Sequence, residues 1–299
     1  MMTNIRGAVK RIPYTQLALQ RIRALTGHFD SPIPSVKALK RREGQIWSEP
    51  SCTLEGIDLC EDAQLAMLET LAPYATDLHF EAQKKEPFRF FYENGFFGYS
   101  DGFLLACILR YLRPKKLIEV GSGFSSGLIF DTNDLFLDYT LDCTFIDPYP
   151  QRLFSLMTER DQRQANVLQK PVQEVDVEVF EQLAAGDILF IDSSHVCKTD
   201  SDVNYLYFKV LPRLHAGVYV HIHDIPYPFE YPKHWVLKGR AWNEAYLLRA
   251  FLQYNNAFEI VIHSHFLYLF HLDRLKELMP LCTKGDAGSI WLRKVTDGS

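Results

Sequence analysis

Three polar residues in the second half of the chain have types and spacing suited to chemistry. His221, His223 and Asp224 lie in the segment VHIHDIPYPFEYPKHW, residues 220–235. A His-x-His-Asp spacing supplies two imidazoles and a carboxylate, which is a donor set for divalent transition metals. The same groups also suit acid–base work, because histidine titrates near neutral pH. The elements that position these side chains decide between the two interpretations.

From residue 100 onward, short apolar runs alternate with helical patterns, which predicts an α/β fold with a mostly parallel sheet and helices on both of its faces. The predicted strands are 116–121, 143–147, 165–169, 187–192, 217–224, 258–264 and 288–294. The predicted helices of this part are 100–114, 151–162, 174–184, 202–214 and 241–253.

Residues 1–98 lack the alternating pattern of strands. Helical spacing appears at 14–25 and 61–75, and a turn-rich basic piece separates these two segments. We therefore expect a helical N-terminal region or cap at 1–98 and a ligand-binding domain at 99–299.

The composition excludes several classes of protein. The 299 residues carry a formal net charge of −5 without a block of Lys or Arg, so we expect no nucleic-acid partner. No apolar run approaches the ~20 residues that would span a bilayer, and the first residues contain no apolar signal segment. The six cysteines form no C-x-x-C pair, which fits a reducing compartment. The expectation is a cytoplasmic protein without a membrane partner, and its oligomeric state stays open.

Ligands of open α/β sheets bind outside the carboxyl ends of the strands, so the residues at those ends matter most. The first predicted strand ends in IEVGSGFSSG, where Gly121, Ser122 and Gly123 make a turn into the next helix. Asp147 ends the second strand and can accept hydrogen bonds from the hydroxyls of a ribose. Ser126 stands where the dinucleotide fingerprint has its third glycine, which disfavours a nicotinamide or flavin cofactor.

Two more strand ends carry polar residues. Asp192 ends the fourth predicted strand and is followed closely by His195, while His223 and Asp224 end the fifth. Adjacent parallel strands lie ~4.8 Å apart, so these four groups can converge. His221 lies two residues deeper on the same face as His223, and we expect it to be a buried histidine with satisfied hydrogen bonds.

The motifs resemble those of the class I S-adenosylmethionine-dependent methyltransferases. LIEVGSGFSS is similar to their first motif and FIDPYP to their second, acidic motif. GDILFIDSSHV and LPRLHAGVYVHIHDI resemble a bacterial subgroup of the family-24 type, and GSIWLRK fits its last strand. The resemblance covers roughly residues 86–295. It implies a Rossmann-like fold with a seven-stranded, mostly parallel sheet whose last strand is antiparallel.

The resemblance also implies S-adenosylmethionine as the cofactor. Gly121 and Gly123 would pass close to its methionine part, Glu119 would orient the turn and the amino group, and Asp147 would hold the ribose. The implied cofactor-binding residues are Glu119, Gly121, Ser122, Gly123, Asp147 and Asp192.

The resemblance leaves two interpretations of the reacting end. Related O-methyltransferases bind Mg²⁺ through acids at the positions of Asp192, His223 and Asp224. Imidazole is a poor ligand for Mg²⁺ but suits Mn²⁺, Fe²⁺ or Zn²⁺, so a divalent metal is one interpretation. In the metal-free interpretation, His195 or His223 is the base that takes the acceptor proton, and Asp224 or Asp192 orients its ring.

The leading hypothesis is methylation of a hydroxyl on a small molecule or glycan. The fourth strand ends in IDSSH and lacks the Pro-Pro-Tyr type of motif that accompanies methylation of base amines. One alternative is a metal-dependent hydrolase using His221, His223 and Asp224. Another is a non-catalytic module that binds a nucleotide and a partner protein.

Two aromatic segments are candidates for the wall of an acceptor pocket. Tyr227, Phe229, Tyr231 and Trp235 follow the fifth strand on the ligand side, where loops often build pockets. The alternative for them is a rigid, packed connection. The second segment, FRFFYENGFFGYS at 88–100, could face the same cleft.

Overall fold

A computed structural model of the protein describes residues 27–285 and 287–297. Its centre is a seven-stranded sheet in the order β3-β2-β1-β4-β5-β7-β6. The strands are β1 Lys116–Val120, β2 Asp142–Ile146, β3 Asn166–Leu168, β4 Ile188–Ile191, β5 Tyr219–Ile222, β6 Phe258–His263 and β7 Ile290–Lys294. β7 runs antiparallel to both of its neighbours, β5 and β6, and the other four pairs of these strands are parallel. The predicted α/β fold and its antiparallel last strand are confirmed.

Helices connect most of the strands. They are α1 Val36–Ile46, α2 Glu61–Leu71, α3 Tyr99–Leu112, α4 Phe124–Phe136, α5 Gln151–Leu156, α6 Glu159–Gln164, α7 Asp202–Tyr205, α8 Lys233–Leu237, α9 Glu244–Leu252, α10 Ser264–Phe270 and α11 Leu272–Leu278. Within the described ranges, no helix combines the length and the apolar character needed to cross a bilayer.

The sheet is apolar because its inner strands are covered on both faces. Every residue of β4 and β5 is buried, and both strands lie between other strands of the sheet. Buried parallel strands are continuous runs of large aliphatic and aromatic residues rather than alternating patterns. Apart from Tyr219 and His221, the polar side chains follow these two strands, beyond Ile191 and Ile222.

The predicted helices are interrupted at identifiable residues. The segment 202–214 consists of α7, a π-helical turn at Leu206–Val210 and a 3₁₀ turn at Leu211–Arg213. Pro212 has no N–H and its ring clashes with an α-helical carbonyl, so a regular helix cannot continue there. The segment 151–162 is divided into α5 and α6 because Thr158 caps a new helix by accepting the N–H of Asp161. Two 3₁₀ helices, Val172–Glu174 and Val177–Gln182, replace the predicted helix at 174–184.

The chain divides into two compact units. One contains the described residues of 1–50 and Tyr231–Trp242, and the other contains Ser51–Glu230 and the described residues of 243–299. The predicted boundary between 98 and 99 stays a prediction, and the predicted helix at 14–25 lies outside the described residues.

The smaller unit contains α1 and a small aromatic cluster. The indole N–H of Trp47 donates to the carbonyl oxygen of Tyr231 at 3.0 Å. The Arg240 guanidinium lies 4.6 Å from the ring centres of both Trp235 and Trp242. Cation–π contacts of this kind hold such a cluster together without a large apolar core.

Candidate active site

The turn after β1 requires glycine at its first position. Gly121 has a φ of +81°, and a Cβ there would lie 1.8 Å from the carbonyl oxygen of Asp192. Its N–H donates to the carbonyl of Ile146 at the end of β2. The turn is therefore in contact with the ends of both neighbouring strands, and only glycine fits.

Asp147, at the end of β2, binds the same turn. Its Oδ2 accepts hydrogen bonds from the backbone N–H and the hydroxyl of Ser122, at 2.9 and 2.7 Å. Its Oδ1 accepts the N–H of Tyr149 at 2.7 Å. Two of the predicted cofactor-binding residues, Ser122 and Asp147, are thus brought into direct contact.

Glu119 supports the turn from below. Its side chain is fully buried in β1, and its two oxygens accept hydrogen bonds from the hydroxyls of Ser125 and Ser126. Ser126 Oγ also accepts the N–H of Gly123 at 2.9 Å. Burial raises the pKa of Glu119 to about 8, although the serine hydroxyls act to lower it. Ser126 therefore has a structural role that the missing third glycine alone did not reveal.

A cavity of about 160 Å³ opens beside this turn. Its polar lining comes from Ser122, Gly123, Arg152, Asp192, His223 and Asp224, and its apolar lining from the rings of Phe96, Phe97 and Phe124. The 88–100 segment thus supplies two rings of the cleft. The Arg152 guanidinium lies 3.8 Å from the ring centre of Phe96 and is the cation of this lining.

The four predicted residues at the ends of β4 and β5 lie close together, and three of them, Asp192, His223 and Asp224, line this cavity. His195 Nε2 lies 3.4 Å from Asp192 Oδ1 and 3.6 Å from Asp224 Oδ2. His223 Nε2 lies 3.8 Å from Asp224 Oδ1. His195 and Asp224 both have left-handed backbone conformations, with φ of +59° and +55°. Such conformations cost about 1–3 kcal/mol for non-glycine residues and cluster at functional sites.

Glu244 completes the cluster, and sequence reasoning missed it. This first residue of α9 is fully buried, and its Oε2 lies 2.9 Å from His195 Nδ1. The backbone N–H groups of Asn243 and Glu244 both donate to the carbonyl oxygen of His195, at 3.0 and 3.2 Å. No local motif links residues 49 positions apart, so only the folded chain reveals the pair.

The carboxylates around His195 change its protonation. Burial would lower the pKa of His195, but hydrogen bonds to Asp192 and Glu244 outweigh it and raise this pKa to about 10. The pKa of Asp192 is held below its ordinary value, because the charges of His223 and His195 outweigh the effect of burial. His195 is therefore a cation at neutral pH.

His223 is influenced by a further buried acid, Asp101 of α3. Burial acts to lower the pKa of His223, but the charges of Asp192, Asp224 and Asp101 raise it above its ordinary value. Asp101 is 5% exposed and accepts a hydrogen bond from the Ser289 hydroxyl at 2.5 Å. Burial raises the pKa of Asp101 itself.

His221 lies deeper, as expected. It is fully buried, its ring stacks on Phe190 with centres 3.9 Å apart, and Trp291 lies 4.7 Å away. Neither ring nitrogen has a hydrogen-bond partner among the described residues. Burial, together with the charge of His223, places the pKa of His221 well below its ordinary value. The predicted burial is confirmed, but the expectation of satisfied hydrogen bonds is wrong.

The predicted metal ligands do not form a metal site in this structure. No group of three His, Cys, Asp or Glu side chains in residues 27–285 and 287–297 is arranged to hold a metal ion. Asp192 and Asp224 both face the same ring nitrogen of His195, while His221 is held in the apolar layer. A divalent metal at Asp192, His223 and Asp224 therefore stays a prediction.

The proline-aromatic segment matches its packed alternative in the part that belongs to the sheet unit. Tyr227 and Phe229 are buried, and each ring centre lies 5.6 Å from that of His263. The Tyr227 hydroxyl donates to the carbonyl oxygen of Ser51 at 2.6 Å. Neither residue lines the cavity. Tyr231 and Trp235 belong to the smaller unit.

Comparisons with known proteins identify relatives of the chain. Residues 118–225 match the model of a family described as a methyltransferase domain, family 24. An uncharacterized protein of Archaeoglobus fulgidus is 32% identical over 162 residues, which are 52% of this chain and 72% of that protein.

Solved structures of similar fold include two O-methyltransferases. A putative O-methyltransferase from Klebsiella pneumoniae is 13% identical, with a TM-score of 0.42 over 86% of this chain and 94% of that one. The O-methyltransferase TomG from Streptomyces achromogenes, which is involved in tomaymycin synthesis, is 12% identical. Its TM-score is 0.40 over 86% of this chain and 96% of that one.

Proposed function

The chain belongs to the class I S-adenosylmethionine-dependent methyltransferases of the family-24 type, and on this premise we propose that it methylates a hydroxyl group of a small molecule or glycan. One observation carries the proposal: polar ends of β4 and β5 meet at the same cavity as the glycine turn of β1. When bound, S-adenosylmethionine supplies a methyl group on a positively charged sulfur. A new bond between this carbon and the acceptor oxygen replaces the bond to sulfur, and the acceptor proton passes to the protein.

The cofactor is assigned to the turn and its neighbours. Gly121 and Gly123 allow the chain to approach a ligand closely, because neither carries a side chain that would cover the backbone. Asp147 retains acceptor capacity for ribose hydroxyls, since each carboxylate oxygen has more than one lone-pair direction. Glu119 is assigned to holding the turn through Ser125 and Ser126. Contact of Glu119 with the cofactor amino group remains part of the proposal.

The acceptor proton is assigned to the pair of His223 and Asp224. Both nitrogens of His195 already face carboxylates, so that ring has no free lone pair for a proton. His223 Nδ1 has no hydrogen-bond partner among the described residues, and Asp224 lies beside the ring at 3.8 Å. Asp224 would stabilise the imidazolium that forms. General-base catalysis of this kind typically contributes 10²–10⁴-fold to the rate.

Cofactor binding tests the first part of the proposal. Calorimetry of the full chain with S-adenosylmethionine and S-adenosylhomocysteine should give binding of both. Asp147→Ala should weaken binding by about 1–3 kcal/mol through lost charge-assisted hydrogen bonds. Asp142→Ala is the matched control, because Asp142 is exposed at the other end of the same strand and its loss should leave affinity unchanged. Absence of binding at millimolar concentration would refute the proposal.

Turnover tests the second part. The protein should release S-adenosylhomocysteine with at least one member of a panel of phenols, sugars and polyketide alcohols, and the product should gain one methyl group. His223→Gln and Asp224→Asn should each lower kcat by roughly 10²–10⁴-fold. Equal activity of these variants would remove the assigned base. Cofactor binding without turnover across a broad panel would favour a non-catalytic module.

A further inference from the structure

We propose that Arg152 binds the carboxylate of the methionine part of S-adenosylmethionine, and that the ring of Phe96 holds its guanidinium over the turn after β1. This inference rests on the proposed function, because it concerns the same cofactor in the same cavity. The other residues assigned to the cofactor are glycines, a serine and acids. None of them carries a positive charge that would pair with the one anionic group of this ligand.

The Arg152 side chain lies directly against the glycine turn. Arg152 belongs to α5, the helix that follows β2, and it lines the cavity beside the turn. A Cβ on Gly123 would lie 3.4 Å from Cδ of Arg152 and 3.6 Å from its Nη1. Because Gly123 has no side chain, the arginine can pass over the backbone at this point. The guanidinium is therefore in the part of the cavity to which the methionine part of the cofactor is assigned.

Two aromatic rings hold the guanidinium in place. It lies 3.8 Å from the ring centre of Phe96 and 5.8 Å from that of Phe124, and these two rings stack with centres 6.0 Å apart. The loop that presents Phe96 is fixed by Asn94, whose Oδ1 accepts the backbone N–H groups of Phe96 and Phe97 at 2.9 and 2.8 Å. A contact with ring faces stabilises the positive charge but uses none of the N–H donors in a hydrogen bond.

The donors of Arg152 are available for a ligand. Within residues 27–285 and 287–297, no carboxylate oxygen lies within 4.0 Å of its guanidinium nitrogens. Arg89 shows the contrary case, because its guanidinium forms ion pairs with three aspartates of the chain. The two acids that share the cavity with Arg152, Asp192 and Asp224, face the ring of His195 instead. The fold thus places one cation in the cavity and gives it no anion.

The charges of the cofactor identify the group that Arg152 would bind. The methionine part of S-adenosylmethionine carries a sulfonium, an ammonium and a carboxylate. A guanidinium would repel the first two groups, and it attracts the third. Its planar N–H donors also match the two oxygens of a carboxylate, which a lysine does not reproduce. Recognition by Arg152 should therefore depend on the carboxylate of the ligand and not on its sulfur or its adenosine.

The experiment is calorimetry of the full chain with S-adenosylhomocysteine and with its decarboxylated analogue, which keeps the adenosine, the sulfur and the amino group. The wild type should bind S-adenosylhomocysteine roughly 10–100-fold more tightly than the analogue. Arg152→Met keeps an apolar chain against Phe96 and removes the charge, so its affinities for the two ligands should differ by less than about threefold. Arg152→Lys keeps the charge without the planar donors and should retain an intermediate preference.

The matched control is Arg160→Met. The Arg160 guanidinium lies 4.1 Å from the ring centre of Tyr139, so its loss removes a contact of the same kind. Neither Arg160 nor Tyr139 lines this cavity. The control variant should keep the wild-type preference for S-adenosylhomocysteine over the decarboxylated analogue.

Three results would overturn the inference. The first is equal affinity of the wild type for the two ligands, a measurement that needs no variant to fold. The second is an Arg152→Met variant that keeps the wild-type preference, as a residue with only a packing role would, since its loss weakens both ligands by the same factor. The third is tighter binding of S-adenosylmethionine by Arg152→Met, which would place the guanidinium beside the sulfonium. Failure of the wild type to bind either S-adenosylmethionine or S-adenosylhomocysteine would instead refute the proposed function.

Discussion

His221 of β5 and His223, which directly follows this strand, have ring centres 5.8 Å apart but opposite surroundings. His221 stacks on Phe190 in a layer without polar partners, and its pKa falls well below its ordinary value. His223 lies among Asp192, Asp224 and Asp101, and its pKa rises. The same side chain therefore has a lowered pKa at one depth and a raised pKa at the next.

The difference shows at which depth of this sheet the apolar core ends and the polar wall of the cavity begins. Two residues of strand span about 6.6 Å, and over that distance the environment changes from sheet core to cavity wall. In this protein the ring of His221 has no polar partner among the described residues, whereas His223 lies beside Asp224 and close to His195, which comes from another segment.

The largest effect should come from forcing a charge into the deeper layer. His221→Glu places a carboxylate against Phe190 and Trp291, where the His221 ring has no hydrogen-bond partner among the described residues, and it should lower the free energy of unfolding by about 3–5 kcal/mol. His79→Glu, at an exposed position, should change it by less than about 0.5 kcal/mol. Urea denaturation at pH 8 measures both variants. A tolerated glutamate at 221 would mean that water reaches this layer, and the comparison would fail.

The contacts of His195 with its carboxylates should stabilise the protein less at alkaline pH. The folded-state pKa of His195, about 10, lies above its unfolded value near 6.5. This contribution is complete below pH 6.5 and is lost as pH rises towards 10. Two pH units above 6.5, the loss should be about 2–3 kcal/mol relative to His195→Gln, which cannot titrate.

The groups facing His195 are Asp192, Asp224, Glu244 and the imidazole of His223. Of these, the three carboxylates favour the protonated form of the His195 ring. Urea denaturation of the wild type and His195→Gln at pH 6.5 and 8.5 isolates the effect. Equal pH dependence of the two proteins would show that His195 is neutral, and the rim would then resemble the deeper layer.

The buried histidines should lower the stability of the folded protein at acidic pH. His263 at the end of β6 is fully buried beside Tyr227 and Phe229, and burial, helped by the charge of His265, lowers its pKa to about 3. Below pH 6.5 this histidine binds a proton in the unfolded chain but not in the folded chain. The free energy of unfolding therefore falls as pH falls. At pH 5 this costs about 2 kcal/mol per histidine.

His263→Phe tests this prediction, because it keeps a ring in the same space and cannot titrate. Its unfolding free energy should change less between pH 7.5 and pH 5 than that of the wild type, by about 2 kcal/mol. The matched control is His215→Phe, since His215 is exposed. Identical acid sensitivity of His263→Phe and wild type would show that His263 has a partner for its proton.

The smallest effect should come from neutralising the buried acid of β1. The pKa of Glu119, about 8, means that this carboxyl is mostly protonated at pH 7. Glu119→Gln should therefore change the free energy of unfolding by less than about 1 kcal/mol. Glu119→Ala leaves the hydroxyls of Ser125 and Ser126 without an acceptor and should cost about 1–3 kcal/mol. Equal losses for the two variants would indicate that Glu119 is ionised, and that the core layer tolerates charge.

The sequence predicted the sheet and the strand ends because their signals are local. Continuous apolar runs identify β4 and β5, and the glycine turn and Asp147 follow their strands directly. The convergence of Asp192, His195, His223 and Asp224 follows from parallel pairing, which aligns Ile191 with Ile222. These are properties of period, spacing and topology that one sequence contains.

The remaining site residues depend on packing over long distances. Glu244 reaches His195 through the start of α9, and Asp101 approaches His223 from α3, so no pattern near either histidine indicates them. A metal at Asp192, His223 and Asp224 stays a prediction, since the residue types at these positions do not reveal that the ring of His195 faces both aspartates. The broken helix at 202–214 shows that periodicity also overlooks the effect of Pro212 on the backbone.

The absence of a side chain at Gly121 brings the turn after β1 into direct contact with Asp192. Its α-carbon faces the carbonyl oxygen of Asp192 so closely that a methyl group would lie 1.8 Å from that oxygen. The N–H of Asp192 in turn donates to the carbonyl of Val120 at 2.9 Å. The turn after β1 and the end of β4 are therefore held together on both sides of Asp192. Under the proposed assignment, a cofactor that shifts this turn should also displace the backbone of Asp192, so that occupancy of one binding position changes the geometry of the other.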